Sequence, residues 1–175
     1  HTHKIGFERA EQFFHEIPIL RLFASAEERR MFDRKQELLQ SWTGAFLEAK
    51  DCPCEAPYGG VIWKGGGRLD TRRFLESSGV FFRDLGFVES GEIDLASGLE
   101  VERPTIMCAG AAGLGSGPFG FLPERRAKGE ILTVRIPGQP EDRVLSRNGW
   151  MIPLGQGLFR VGSTYSWDNL TDEVT

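Results

Sequence analysis

The sequence has three histidines, and all of them lie within the first 15 residues. Nucleophilic hydrolysis by serine or cysteine needs a histidine that takes the proton of the nucleophile. The histidines are His1, His3 and His15, and the sequence has no Gly-x-Ser-x-Gly motif that could form a nucleophile elbow. This placement argues against a hydrolase with a catalytic triad.

Three cysteines could in principle bind a metal or form disulfides. Cys52 and Cys54 are separated by one residue and Cys108 stands alone, whereas a structural zinc site uses four ligands, commonly in pairs with two to four residues between them. An odd number of cysteines does not indicate a disulfide framework. We therefore expect reduced thiols and no metal site.

A glycine-dense stretch covers residues 108–117, directly after an apolar run. Glycines in such a place let a phosphate or a cofactor approach the backbone closely. The dinucleotide-binding fingerprint requires an amphipathic helix after its glycines, but residues 118–123 begin and end with proline. The Gly-Lys-Ser/Thr of a P-loop is also missing. Two interpretations stay open on these residues alone, a flexible loop after a buried strand or a loop that a cofactor approaches.

Helical spacing of apolar residues and capping side chains predict the helices that frame these segments. The predicted helices cover residues 7–15, 26–39 and 71–79. Ser25 and Glu28 form a capping-box pattern before the second helix, and Asp70 can cap the third. Gly79 is expected to end the third helix, with extended backbone over residues 80–82.

Short apolar runs bounded by Gly, Pro, Asn and Asp predict the strands. They cover residues 17–24, 61–63, 99–102, 105–109, 130–136, 143–146, 150–153 and 158–163. Residues 65–67, all glycine, predict a flexible turn. Helices and strands do not alternate strictly, so the expected fold class is α+β, with a mostly antiparallel sheet and two or three flanking helices.

Length and charge restrict the class of protein. The 175 residues, 40% of them apolar, are enough for one globular domain with a core. A net charge of −4 argues against a nucleic-acid partner. No apolar run approaches the roughly 20 residues that cross a bilayer, and no signal-peptide pattern is present. We expect a cytoplasmic protein without a membrane span, and no pattern indicates its oligomeric state.

Five segments carry a family resemblance through their order and spacing. They are residues 65–75 (GGGRLDTRRFL), 105–111 (TIMCAGA), 122–132, 149–153 (GWMIP) and 159–165 (FRVGSTY). Together they resemble the family of FAD-dependent amine and amino-acid oxidoreductases that includes D-amino acid oxidase, glycine oxidase and sarcosine oxidase. The resemblance covers residues 18–175.

The resemblance implies a cofactor contact at the second of these segments. In the family this strand returns to the FAD-binding half, and its end lies against the cofactor. The matching residues are Cys108, Ala109, Gly110 and Ala111. The side chains of the last three are small or absent, which would let backbone groups touch the dinucleotide.

The resemblance also implies that Trp150, Ile152 and Asn148 belong to the substrate pocket, on a sheet that faces the flavin. Glycine oxidase-like members place an aromatic hydroxyl at the position of Trp150 to bind the substrate carboxylate, whereas tryptophan donates only a ring N–H. The alternative for Trp150 is a core aromatic residue. For Arg147, next to this strand, we expect a solvated turn position.

The implied division of the chain has three parts. Residues 1–104 hold the helices and first strands of the substrate domain with the crossover to the FAD domain. Residues 105–117 form the strand and glycine loop at the FAD domain, and residues 118–175 form the substrate-domain sheet. The family's N-terminal strand with its glycine-rich turn, and its C-terminal arginine-bearing segment, have no counterpart in the sequence. The resemblance therefore implies a central fragment of a two-domain flavoenzyme.

The implied activity of the full-length parent is hydride transfer from the carbon next to the nitrogen of a small amine or amino acid to FAD. The cofactor performs the redox step, so the missing histidine base is no objection. The resemblance assigns no catalytic residue, and we expect the fragment alone to be inactive. The alternative is a non-catalytic α+β module that binds a ligand or partner through glycine loops and exposed aromatic residues.

Overall fold

The computed structural model describes residues 12–94, 104–113 and 119–174, and the fold over these residues is α+β. The α-helices are α1 (Ala26–Leu39) and α2 (Thr71–Asp84). The strands are β1 (Phe14–Glu16), β2 (Ile19–Leu22), β3 (Thr43–Leu47), β4 (Gly60–Trp63), β5 (Gly67–Leu69), β6 (Ile131–Arg135), β7 (Val144–Ser146), β8 (Trp150–Gly155) and β9 (Leu158–Gly162). Short 3-10 helices cover Ala49–Asp51 and Gly110–Gly113.

Seven of these strands form one sheet in the order β3-β4-β2-β7-β8-β9-β6. Strands β2 and β7 pair in parallel, and the other five neighbouring pairs are antiparallel. Strands β1 and β5 form a separate antiparallel pair. The predicted fold class, α+β with a mostly antiparallel sheet, is therefore confirmed.

Two clusters of buried apolar side chains lie on the two faces of the β2–β4 half of the sheet. Leu20 and Leu22 of β2 pack with Ala56 in one cluster. Phe23, which follows β2, and Val61 of β4 pack with Phe32 of α1 in the other. Because neighbouring residues of a strand point to opposite faces, β4 contributes to both clusters.

The N-terminus of α1 forms much as its sequence predicts. The Ser25 hydroxyl accepts a hydrogen bond from the backbone N–H of Glu28 at 3.1 Å. The Glu28 carboxylate reaches back, but it accepts from the N–H of Ala24 at 2.7 Å, one residue before the cap. The same carboxylate pairs with Arg21 of β2, with Oε1 2.5 Å from Nη2. The first turn of α1 is thus fastened to the sheet.

The predicted end of α2 at Gly79, with extended backbone over residues 80–82, is wrong. Asp70 caps the helix as expected, accepting from the N–H of Arg73 at 3.1 Å, but α2 continues to Asp84. A glycine inside a helix costs only about 1 kcal/mol relative to alanine, which does not stop it. Beyond the C-cap Leu85, Gly86 has a φ of 71° and closes a C-terminal Schellman turn, in which the N–H of Gly86 donates to Arg83 O and the N–H of Phe87 donates to Phe82 O.

The predicted helix over residues 7–15 is wrong at its described end. Phe14, His15 and Glu16 form β1, which pairs with β5 through Phe14 opposite Leu69. Tertiary pairing with β5 overrides the local helical spacing. Residues 7–11 lie outside the described part of the chain. Strand β5 includes Gly67, so the predicted flexible turn over residues 65–67 is too long.

Most of the predicted strands are present. Strands β2, β4, β6, β7, β8 and β9 match their predictions within a few residues, whereas β3 was not predicted. The strand predicted for residues 105–109 is wrong, since residues 104–109 have no regular structure. Ile106 in this segment is 88% exposed, and no described strand pairs with the segment. The strand predicted for residues 99–102, and the glycines of the loop after residue 113, lie outside the described residues.

Candidate functional site

A cavity of about 990 Å³ lies beside strands β6, β8 and β9. Its lining combines apolar side chains, among them Ile131 and Trp150, with the charged side chains of Lys128 and Glu130. Its size falls within the range of small-molecule sites, which are mostly apolar with a few polar groups that fix orientation. The family resemblance implied a pocket position for Trp150, and Trp150 is one of the residues that line this cavity.

Cross-strand pairing explains how Trp150 and its neighbours come together. Trp150 of β8 lies opposite Gly162 of β9, and Gly162 lies opposite Ile131 of β6. Directly opposed residues share a face of the sheet. The indole, the bare glycine and the isoleucine therefore stand in one row across three strands.

Ile152 belongs to the next row on the same face. It lies opposite Arg160 of β9, which in turn lies opposite Thr133 of β6. Trp150 and Ile152 are two residues apart on one strand and point the same way. Trp150 lines the cavity, whereas Ile152 is not among the described residues that do so.

The Trp150 indole lies over Gly162. A Cβ atom placed on Gly162 would stand 3.1 Å from Cζ2 and 3.3 Å from Cη2 of Trp150, and 3.1 Å from Cγ1 of Ile131. These distances are shorter than the 3.5–4.0 Å or so of an optimal carbon contact. The position of the indole thus depends on residue 162 having no side chain. Trp150 itself is half-buried, so it is not a fully enclosed core residue.

A half-buried ion pair stands in the cavity lining. The Nζ atom of Lys128 lies 3.5 Å from Oε1 of Glu130, and both side chains are largely covered, with 14% and 22% exposed. The Lys128 ammonium also donates to the carbonyl oxygen of Glu173. The backbone N–H of Glu130 donates to Oγ1 of Thr164 at 3.0 Å. Sequence reasoning missed this pair, although the Lys-Gly-Glu spacing next to a predicted strand was the available signal.

The turn between β7 and β8 carries the remaining predicted pocket residue. Asn148 has a φ of 55° and is exposed, as a turn residue in the left-handed region often is. It is not among the described residues that line the cavity. Its neighbour Arg147 does line the cavity, while its Nη1 donates to the carbonyl oxygen of Glu55 at 2.7 Å. Arg147 is exposed in a turn, as expected.

The predicted cofactor segment lies apart from this cavity. Cys108, Ala109, Gly110 and Ala111 are exposed, and none of them is among the described residues that line it. Gly110 has a φ of 57°, and a Cβ placed on it would meet no atom of the described residues within 4 Å. Among the residues that the structure describes, the space beside Gly110 is therefore open.

All three cysteines are free thiols, as predicted. Burial raises the pKa of Cys52, and the nearby Cys54, Asp51 and Glu48 raise it further. The Cys52 thiol also donates to the carbonyl oxygen of Glu48 at 3.4 Å. A raised pKa keeps this thiol protonated, which disfavours nucleophilic chemistry at Cys52.

Within the described ranges, no group of three or more His, Cys, Asp or Glu side chains is placed to hold a metal ion. None of the helices seen in the described part of the chain has the length and apolar character to cross a membrane.

No protein-family model matches the sequence, and no solved structure matches the chain.

Proposed function

We propose that this chain forms the substrate-binding sheet of an FAD-dependent oxidoreductase that oxidises an amine or an amino acid. The observation that supports this function best is the cavity beside β6, β8 and β9, in which apolar side chains stand next to an ammonium and a carboxylate. A zwitterionic amino acid carries the same two charges, and its side chain would meet the apolar part of the lining. The family that the five sequence segments resemble also oxidises amines and amino acids.

The residues of this chain that would touch FAD are Cys108, Ala109, Gly110 and Ala111. Their exposed backbone and small side chains suit close approach of a dinucleotide. FAD, when bound, supplies the acceptor for the hydride that leaves the carbon next to the substrate nitrogen. These residues are not among those that line the cavity, and residues 119–127 form no α-helix after the glycines. We infer that most of the FAD site belongs to other parts of a longer parent protein.

The residues of this chain act by binding and orienting. Lys128 would attract the substrate carboxylate, and Glu130 would accept a hydrogen bond from the substrate amine. Ile131 and Trp150 would exclude water from the reacting carbon. No strong protein base is required, because the redox step belongs to the cofactor.

The test uses the full-length parent. An absorbance titration with FAD should give a saturable flavin spectrum, and anaerobic addition of amines and amino acids should bleach it with at least one compound. The 175-residue chain alone should bind FAD weakly or not at all. A parent that takes up no FAD would refute the proposal.

A second candidate is a non-catalytic binding module, which the surface of α2 favours. Its side chains Phe74, Leu75 and Phe82, which lie on one side of the helix, are 39%, 67% and 46% exposed, and no residue of this helix is buried. Such a face suits a partner surface. The FAD titration separates the two functions, since a binding module gives no flavin spectrum.

A further inference from the structure

We propose that Gly162 is a positioning residue for Trp150, and that their contact sets how large a substrate the cavity wall beside Trp150 admits. The second part of this proposal rests on the function proposed above. The first part concerns the geometry of the chain and can be tested without any substrate.

Two neighbouring side chains approach the position that a Cβ atom of residue 162 would occupy. The two Trp150 atoms closest to its missing Cβ are Cζ2 and Cη2, which lie at the outer edge of the indole. Cγ1 of Ile131 approaches the same point from the other neighbouring strand, at 3.1 Å. The indole edge and the isoleucine thus share the space that a side chain at residue 162 would fill.

An alanine methyl at residue 162 would stand between the outer edge of the indole on β8 and Ile131 on β6. Because Ile131 stops the methyl from turning away from Trp150, the indole has to give by a few tenths of an ångström. Trp150, Gly162 and Ile131 all line the cavity, so the added methyl would take up space that a substrate needs and the displaced indole would reshape the cavity wall. A phenylalanine at residue 150 lacks the two outer ring carbons and should relieve the clash.

The first test labels the full chain with 5-fluorotryptophan, which gives one fluorine NMR resonance for each of its four tryptophans. Trp150→Phe assigns the resonance of residue 150. Gly162→Ala should shift that resonance and leave those of Trp42, Trp63 and Trp167 in place. The matched control is Gly44→Ala in β3, where a Cβ would meet chiefly the mobile Cε of Lys64 at 3.3 Å, and it should leave the Trp150 resonance unmoved.

A rescue experiment separates positioning from general loss of structure. Gly162→Ala should lower the melting temperature clearly in the wild-type background and much less in the Trp150→Phe background. An unshifted Trp150 resonance, or an equal loss of melting temperature in both backgrounds, would overturn the positioning role.

Steady-state kinetics of the full-length parent test the second part. Gly162→Ala should raise KM several-fold for the bulkiest accepted substrate and little for the smallest. Adding Trp150→Phe should return KM for the bulkiest substrate toward its wild-type value. If the Trp150 resonance shifts but KM rises equally for all substrates, the role in substrate size is wrong. If the resonance shifts and no amine reduces the flavin, the proposed function fails while the positioning of Trp150 stands.

Discussion

At the scale of single residues, Glu28 links three parts of the fold. Its carboxylate accepts from the N–H of Ala24 and from the guanidinium of Arg21, which also donates to Oγ of Ser146 at 3.2 Å. Burial of the carboxylate raises its pKa, but the hydrogen bond from Ala24 and the bonds and charge of Arg21 outweigh burial. The pKa of Glu28 is therefore lowered.

This lowered pKa predicts a pH dependence of stability. A carboxyl group whose folded pKa is depressed stabilises the fold fully above its unfolded pKa of about 4.3 and loses that contribution as the pH falls through the folded value. Glu28→Gln should reduce the free energy of unfolding by about 1 kcal/mol at pH 7, and this difference from the wild type should shrink as the pH falls from about 5 to 3. Urea unfolding at several pH values measures it.

The exposed neighbour Glu27 provides the control. Glu27→Gln should change the free energy of unfolding little at any of these pH values, because Glu27 is exposed on the same turn of α1. A Glu28→Gln difference that stays constant down to pH 3 would contradict the assignment of the pH effect to this carboxylate.

At the scale of elements, the sequence predicted structure well where the hydrogen-bond partner of a residue is close to it in sequence. Ser25 and Asp70 cap the helices that their spacing predicted, because a capping bond needs only the next turn. Strand β1 could not be predicted, since Phe14 to Glu16 are extended only through pairing with residues more than 50 positions away. The end of α2 was misplaced because glycine interrupts a helix weakly and terminates it strongly only where a positive φ is needed.

Gly79 inside α2 and Gly86 just beyond its C-terminus give a direct comparison. Gly79→Ala should stabilise the fold by about 0.5–1 kcal/mol, since Gly79 is inside the helix and its new Cβ would meet only the mobile end of Arg83 at 3.3 Å. Gly86→Ala should destabilise it by about 1–2 kcal/mol, since its φ of 71° costs an alanine strain. Thermal unfolding of both variants checks the pair, and a destabilising Gly79→Ala would show that the helix does end near residue 79.

At the scale of the whole molecule, the family resemblance implied a pocket position for Trp150, but the contacts of this residue were not predicted. The Lys128–Glu130 pair is local in sequence and was overlooked. The row of Trp150, Gly162 and Ile131 comes from strands that only the sheet brings together. Periodicity within one segment carries no record of which strands become neighbours, so cross-strand contacts of this kind escape single-sequence reasoning. Ile152 and Asn148 were predicted to share the pocket with Trp150. In the structure, Ile152 lies opposite Arg160, two residues along β8 from Trp150, and Asn148 lies in the turn before β8.

The central claim is that this sheet serves the oxidation of an amine or amino acid, and the rate of anaerobic flavin reduction in the full-length parent tests it most directly. With the best substrate found, Trp150→Ala should slow flavin reduction at subsaturating substrate by about tenfold or more, equivalent to about 1.4 kcal/mol of lost binding or transition-state energy. Trp42→Ala, which changes an exposed tryptophan outside the cavity lining, should leave the rate unchanged. Flavin that no amine or amino acid reduces, or a Trp150→Ala variant as fast as the wild type, would contradict the account.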